Sequence, residues 1–78
     1  MEIRFYTKDG CPLCDKAETH LDDLAFEFDF NVRKVDIIKD AEAFEKYWDM
    51  IPVIELPNGM LLWGRIDRAE LEVALMTL

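Results

Sequence analysis

The chain has 78 residues, a net charge of −8 and 51% hydrophobic residues. This length predicts a single domain over residues 1–78, and the hydrophobic content predicts a packed core rather than a disordered chain. The acidic excess argues against nucleic-acid binding, which needs clustered Lys and Arg, and no apolar stretch reaches the roughly 20 residues of a membrane helix. The segment before Cys11 is too short for a signal peptide, so we expect a cytoplasmic protein.

The first elements predicted along the chain are a strand and a helix. Residues 3–6 form a short run of β-branched and aromatic side chains, which is typical of a buried strand. Asp9-Gly10 marks the turn that follows, and Pro12 suits the first position of a helix. Helical spacing then connects the apolar residues Leu13, Ala17, Leu21 and Leu24.

A second strand and a second helix come next. Apolar residues between positions 29 and 36 predict a strand that is parallel to the first, because the two are joined through a helix. Asp40 can cap the following helix. We expect that helix to bury the inner face formed by Phe44, Tyr47 and Trp48.

The last third of the chain predicts a hairpin and a final helix. Residues 52–56 and 60–63 are apolar runs on either side of Pro57-Asn58-Gly59, a strong hairpin signal. Asp67 and Glu70 have the spacing of a capping box, which predicts a helix through Leu75. The predicted order is β-α-β-α-β-β-α, an α/β fold.

Cys11 and Cys14 are the residues most indicative of chemistry. A C-x-x-C motif between a strand and a helix is typical of dithiols that are reversibly oxidised to a disulfide. Cys11 would face unpaired N–H groups and the positive end of the helix dipole, which lower the pKa of a thiol. Cys14, one turn further, should be more buried and resolve a mixed disulfide formed at Cys11. Lys8 could support the thiolate or a bound carboxylate, or be an ordinary solvated lysine.

Two alternatives to redox chemistry stay open for this motif. A structural zinc ion needs four ligands, whereas the chain offers two cysteines and one histidine. A metal site within one copy of the chain would therefore lack ligands, but a zinc or iron–sulfur site that bridges two copies is an alternative. The other is an adaptor domain whose thiols do not turn over. We expect His20 to be a partly exposed surface residue, and Trp48 and Trp63 to pack in the core or at its rim.

Three segments carry a resemblance to a known family. They are residues 6–14 with the C-P-x-C motif, Met50-Ile51-Pro52-Val53, and residues 63–67. With the predicted element order, they resemble the glutaredoxin branch of the thioredoxin-fold superfamily, and small bacterial glutaredoxin-like proteins in particular. The resemblance covers nearly the whole chain. It implies a thioredoxin-like four-stranded mixed sheet with helices on both faces, and a dithiol beside a cis-proline, Pro52.

The same resemblance implies where a substrate would bind. In such proteins the backbone around the cis-proline, here at Ile51, pairs with an extended substrate, although Pro52 could also be an ordinary strand-opening proline. The predicted substrate-binding residues are Lys8, Leu13, Ile51, Pro52, Gly64 and Asp67, and Asp67 could also serve only as a helix cap. No metal ligands are predicted.

The resemblance implies a disulfide reductase that acts on protein or small-molecule disulfides and has no bound cofactor. Its electrons would come from glutathione or from a thioredoxin-reductase-type flavoenzyme. Three positions depart from the family pattern: Leu13 replaces an aromatic residue, Met50 replaces threonine, and Arg65 replaces the second of two glycines. That glycine pair lets the backbone approach glutathione closely, so the departures favour a reductant other than glutathione, or weak use of it.

Overall fold

The computed structural model describes residues 1–78 and contains four strands and three α-helices. A single turn of 3-10 helix, Ile37–Lys39, connects the second strand to the second helix. The elements in chain order are β1 (Glu2–Thr7), α1 (Pro12–Leu24), β2 (Asn31–Asp36), α2 (Ala41–Tyr47), β3 (Val53–Glu55), β4 (Leu61–Trp63) and α3 (Arg68–Met76). This is the predicted order, although β2 begins two residues later than predicted.

The strands form one mixed sheet in the order β2-β1-β3-β4. β1 and β2 are parallel, as the intervening helix predicts, whereas β1–β3 and β3–β4 are antiparallel. The hairpin turn at Asn58-Gly59 gives the second antiparallel pair, with Gly59 at a φ of 88° that favours glycine.

The main core lies between one face of the sheet and the helices α1 and α3. Alternation along β1 places Ile3 and Phe5 on this face, and both are fully buried. They belong to one cluster with residues of both helices, including Leu21 and Leu71. The complete cluster consists of Ile3, Phe5, Cys14, Ala17, Leu21, Leu24, Ile54, Leu56, Ile66, Leu71, Ala74 and Leu75.

α2 covers the opposite face of the sheet. Tyr6 alternates with Phe5 and therefore points to this side, where its ring contacts that of Tyr47 with centroids 4.6 Å apart. The helix begins where predicted, because the Asp40 carboxylate accepts a hydrogen bond from the N–H of Ala43 at 3.0 Å. The predicted helices on both faces are thus confirmed.

The predicted inner face of α2 is wrong in part. Phe44 and Trp48 are 45% and 60% exposed, whereas the small Ala43 is the buried residue of this helix. The helix has only seven residues, so it presents one short stripe to the sheet, and Ala43 and Tyr47 occupy it at helical spacing. Trp63 is also largely exposed, because β4 is an edge strand.

The first turns of two helices show how their residues are placed. Leu13 is 41% exposed, because Cys14 occupies the buried position in the first turn of α1. Asp67 does precede α3, but its side chain makes no capping hydrogen bond, so the predicted capping box does not form.

The sheet register brings three loops to one edge. β1 ends at Thr7, and because β3 is antiparallel to it, with Tyr6 opposite Val53, the segment before Val53 lies at the same edge. β4 is antiparallel to β3, and Trp63 opposite Val53 places Gly64 there too. The segments 8–11, 50–52 and 64–67 therefore meet beside the start of α1.

Candidate functional site

The dithiol lies at the first turn of α1. Cys11 is the residue before the helix, in an extended conformation, and Pro12 takes the first helical position as predicted. The Sγ of Cys11 accepts a hydrogen bond from the backbone N–H of Cys14 at 3.2 Å. The two sulfur atoms form a disulfide, with Cα atoms 5.2 Å apart. The Cys11 sulfur therefore occupies the place where a helix N-terminus offers unpaired N–H groups to a negative charge.

The two sulfur atoms differ in accessibility. Cys14 is 1% exposed and belongs to the core cluster, whereas Cys11 is only partly buried at its edge. Gly10, with a φ of 72°, makes the turn that leads the chain from β1 to Cys11. The sulfur of Cys11 is therefore more accessible from solvent than that of Cys14.

The loop at residues 50–52 is hydrogen-bonded to the segment that follows β4. The peptide bond between Ile51 and Pro52 is cis, as the resemblance implies. The N–H of Gly64 donates to the carbonyl oxygens of Met50 and Pro52, at 3.0 and 2.9 Å. Gly64 has a φ of 73°, which a residue with a side chain rarely adopts.

The Ile51 backbone is only half available for a substrate. Its N–H donates to the carbonyl of Tyr47 at 3.2 Å, so this group is not free for the pairing with an extended substrate that the resemblance implies. Its carbonyl oxygen accepts no backbone hydrogen bond. The N–H is occupied because the carbonyl groups in the last turn of α2 need donors from beyond the helix.

Two of the predicted site residues line one cavity of about 380 Å³. Leu13 and Asp67 share it with the buried Ile66 and with three basic residues that were not predicted as site residues: Lys16, His20 and Arg65. Lys16 and His20 are four residues apart on α1, which places them on the same face of a helix. This spacing was a detectable signal, but only tertiary structure brings Arg65 to them.

Lys8 lies elsewhere. It lines a second cavity, of about 290 Å³, at the other side of the loop before Cys11. The acidic residues of that cavity are Asp9, Asp15, Glu18 and Asp36, and Lys34 lies there as well. The carboxylate of Glu18, 3.0 Å from Lys34, raises the pKa of that amine. The structure thus separates Lys8 from the cavity that contains Leu13 and Asp67.

The polar residues on the α2 side of the sheet form a separate network. Burial, followed by the nearby charge of Glu55, raises the pKa of Tyr6. The Tyr6 hydroxyl donates to the Glu55 carboxylate at 3.5 Å, and Arg4 approaches the same carboxylate at 3.6 Å. The side chains of these residues project from the sheet face opposite α1, so they belong to the scaffold rather than to the dithiol.

No three His, Cys, Asp or Glu side chains of the chain converge into a set that could hold a metal ion. Cys11 and Cys14 supply at most two ligands, so a metal or cluster at the dithiol would need further ligands from a second copy or a small thiol. None of the helices combines the length and the hydropathy that a membrane span requires.

The fold resembles solved structures across almost the entire chain. One is a structural genomics target protein, XcR50 from X. campestris, with a TM-score of 0.81, 30% identity and coverage of 97% of each chain. Another is a mutant thioredoxin from Halobacterium salinarum NRC-1, with a TM-score of 0.80 and 20% identity over 97% of this chain and 72% of that one. Thioredoxin 1 from Thermosipho africanus matches with a TM-score of 0.71 and 16% identity over 99% and 97%.

These likenesses, together with the four-stranded mixed sheet, define a thioredoxin-like α/β fold with a cysteine pair at the start of its first helix. The model of the family described as Glutaredoxin-like domain (DUF836) matches residues 2–76. The chain belongs to this glutaredoxin-like family.

Proposed function

We propose that the protein is a thiol–disulfide oxidoreductase that reduces disulfides with the Cys11–Cys14 dithiol. The observation that carries this proposal is the asymmetry of the pair. Cys11 is partly exposed and accepts a hydrogen bond from a helix N-terminal N–H, whereas Cys14 is buried. The same N–H would stabilise a Cys11 thiolate, which is the nucleophilic form of cysteine.

The reaction proceeds by two exchanges. The Cys11 thiolate attacks one sulfur of the substrate disulfide, forms a mixed disulfide and releases the other sulfur as a thiolate, which takes up a proton. Cys14 then loses its proton and attacks the Cys11 sulfur, which releases the second substrate thiolate. The substrate gains two electrons and two protons, and the protein ends as the Cys11–Cys14 disulfide.

The loops that meet beside Cys11 are the proposed substrate surface. The free carbonyl of Ile51 can accept a hydrogen bond from an extended substrate, whereas the Pro52 side chain is buried. Leu13, between the two cysteines in sequence, offers exposed apolar surface. Gly64 holds the 50–52 loop through its N–H. Glutathione or a flavoenzyme dithiol would reduce the protein again, and no bound cofactor is needed for either exchange.

The proposal is tested by following NADPH consumption with a small disulfide substrate. One arm contains glutathione and glutathione reductase, and the other contains thioredoxin reductase. We expect turnover in at least one arm, above the rate without the protein, and its loss in the Cys11→Ser variant. The arm that works identifies the reductant.

A lack of turnover in both arms, with a dithiol that also fails to react stoichiometrically with disulfides, would contradict the proposal. Metal analysis and the absorption spectrum of the freshly purified protein would then test the alternative of a zinc or iron–sulfur module. That alternative predicts a metal bound through Cys11 and Cys14.

A further inference from the structure

β4 is an edge strand, and its hydrogen bonds to β3 use alternate residues. The sheet order β2-β1-β3-β4 gives β4 a neighbour on one side only. Around its two ends, the N–H of Leu56 donates to the carbonyl of Met60 and the N–H of Gly64 donates to the carbonyl of Pro52, both at 2.9 Å. Because hydrogen-bonded and non-bonded pairs alternate along an antiparallel ladder, the residues bonded to β3 are those at even positions from 60 to 64.

The two odd-numbered residues of β4 turn their backbone groups away from the sheet. The N–H and carbonyl groups of Leu61 and Trp63 point away from β3, where no other strand lies. Their side chains are also exposed, at 36% and 56%. The register opposite Glu55 and Val53 places both side chains on the face of the sheet that α2 covers in part. β4 thus presents free donors, free acceptors and apolar side chains along a single edge.

The β4 edge is uncharged, unlike most of the chain. Residues 56–64 contain no Asp, Glu, Lys or Arg, although 33% of all residues are charged. The other edge strand, β2, carries Arg33 and Lys34 at exposed positions, and such charges are a usual protection of an edge against pairing with another strand. β4 lacks this protection. Two copies of this acidic chain can therefore pair through β4 without bringing charged side chains of the paired strands together.

We propose that the β4 edge binds a second copy of this chain, with the two β4 strands antiparallel about a two-fold axis at Leu62. In this register Leu61 of each copy lies opposite Trp63 of the other copy. Both pairs are of the hydrogen-bonded kind, because these residues turn their backbone groups outward, and each pair exchanges two hydrogen bonds. The pairing satisfies every outward N–H and carbonyl group of β4, so the edge is complementary to itself.

The contact is short, so we expect a weak dimer. Each β4 has three residues, which places the interface among those that bury less than roughly 1,200 Å² and form transiently. Leu61 and the Trp63 opposite it make an aliphatic–aromatic cross-strand contact, of the kind that stabilises an antiparallel ladder. A dissociation constant in the micromolar range or above follows from an interface of this size.

Antiparallel pairing keeps the two dithiols apart. β4 runs toward the edge of the sheet where the segments 8–11, 50–52 and 64–67 meet. A two-fold axis at Leu62 therefore places these edges of the two copies at opposite ends of the joined sheet, and the paired strands do not bring the two Cys11 residues together. The inference goes beyond the proposed function and does not depend on it.

The test is a dilution series of the isotope-labelled, oxidised protein, followed by amide NMR spectra. The oxidised protein has no free thiol that could cross-link two copies. On dilution from about 1 mM we expect the amide signals of Leu61 and Trp63 to move, because both N–H groups lose a hydrogen bond when a weak dimer dissociates. The N–H of Leu62, bonded to β3 in each copy, and the amides of β2 should move much less. Sedimentation equilibrium on the same samples gives the dissociation constant.

Paired substitutions in β4 test the register. Leu61→Lys/Trp63→Lys places like charges opposite each other, so association should weaken about 10-fold or more even though the chain becomes less acidic. Leu61→Lys/Trp63→Glu removes the same apolar side chains but places opposite charges across from each other, so it should associate more tightly than the first variant. Asn31→Lys/Val32→Lys is the matched control, because it adds the same charge at exposed positions of β2, and it should keep the wild-type dissociation constant. The same spectra show that each variant is folded.

Three results would overturn the inference. A wild type that stays monomeric at about 1 mM would show that the edge does not bind a second copy even weakly. Concentration-dependent signals confined to other surfaces, such as the exposed Phe44 and Trp48 of α2, or a dimer that survives Leu61→Lys/Trp63→Lys, would place the contact elsewhere. A Leu61→Lys/Trp63→Glu variant that associates no better than Leu61→Lys/Trp63→Lys would contradict the antiparallel register. None of these measurements involves disulfide reduction, so they are distinguishable from failure of the proposed function.

Discussion

At the scale of single residues, the environment of Cys11 predicts an acidic thiol. In the reduced protein the N–H of Cys14 and the N-terminus of α1 should stabilise the thiolate, so we expect the pKa of Cys11 to lie below the value of about 8.5 of a free cysteine. The ultraviolet absorbance of the thiolate, followed against pH in the Cys14→Ser variant, measures it. The Cys11→Ser variant is the control, because burial should keep Cys14 protonated to higher pH. Coincident titrations of the two variants would contradict this prediction.

The environment of Tyr6 predicts how the stability of the protein changes at high pH. Burial and the Glu55 charge raise its pKa in the folded protein, so folding favours the protonated phenol. This contribution to stability should be fully present below about pH 10, the ordinary tyrosine pKa, and lost as the pH rises through the higher folded value. We expect the wild type to lose stability relative to Tyr6→Phe above about pH 10, measured by denaturant unfolding. A difference between the two proteins that is independent of pH would be inconsistent with the raised pKa.

At the scale of elements, the aspartates that precede α2 and α3 look alike in sequence but should contribute differently to the free energy of unfolding. The Asp40 carboxylate caps α2 through the N–H of Ala43, whereas Asp67 precedes α3 without such a bond. We expect Asp40→Ala to cost about 1 kcal/mol of unfolding free energy and Asp67→Ala to cost less. Both variants lose a negative charge at a helix N-terminus. The difference between their unfolding free energies, measured by chemical denaturation, therefore reports the capping hydrogen bond of Asp40. Equal losses would argue against the observed capping.

Several helices and turns could be predicted because their signals lie in the local sequence. The periodicity of residues 13–24, the Asn58-Gly59 turn and Asp40 are local signals, and each predicted the correct element. Cys11 and Cys14 were predictable for the same reason, because a strand, a turn and Pro12 surround them in sequence. Phe44 and Trp48 were predicted as buried, since hydrophobicity alone does not reveal that α2 is too short to bury them.

The parts of the site that could not be predicted depend on contacts between distant segments. The Ile51 N–H is occupied by a carbonyl of α2, and Gly64 is bonded to the 50–52 loop. Arg65 reaches Lys16 and His20 only because α1 and the segment before α3 pack together. Nothing in the local sequence around any of these residues specifies its partner.

At the scale of the molecule, a small core determines stability. Only 17 of 78 residues are buried, so each large buried side chain accounts for a substantial share of a total that is typically about 5–15 kcal/mol. We expect Leu71→Ala, at a fully buried position of α3, to destabilise the protein by about 2–5 kcal/mol. Val73→Ala on the same helix is the control, because Val73 is 60% exposed and should change stability by less than about 1 kcal/mol. Similar unfolding midpoints for both variants would contradict the assigned core.

The fold leaves Cys11 partly exposed and buries Cys14 beneath it, and the proposed function assigns these two thiols different roles. The most direct measurement is mass-spectrometric mapping of the adduct formed when reduced Cys14→Ser and Cys11→Ser variants meet the same disulfide substrate. We predict a stable mixed disulfide on Cys11 in the Cys14→Ser variant and little adduct in the Cys11→Ser variant, since Cys14 is 1% exposed. An adduct that forms mainly on Cys14, or on neither cysteine, would contradict the assignment.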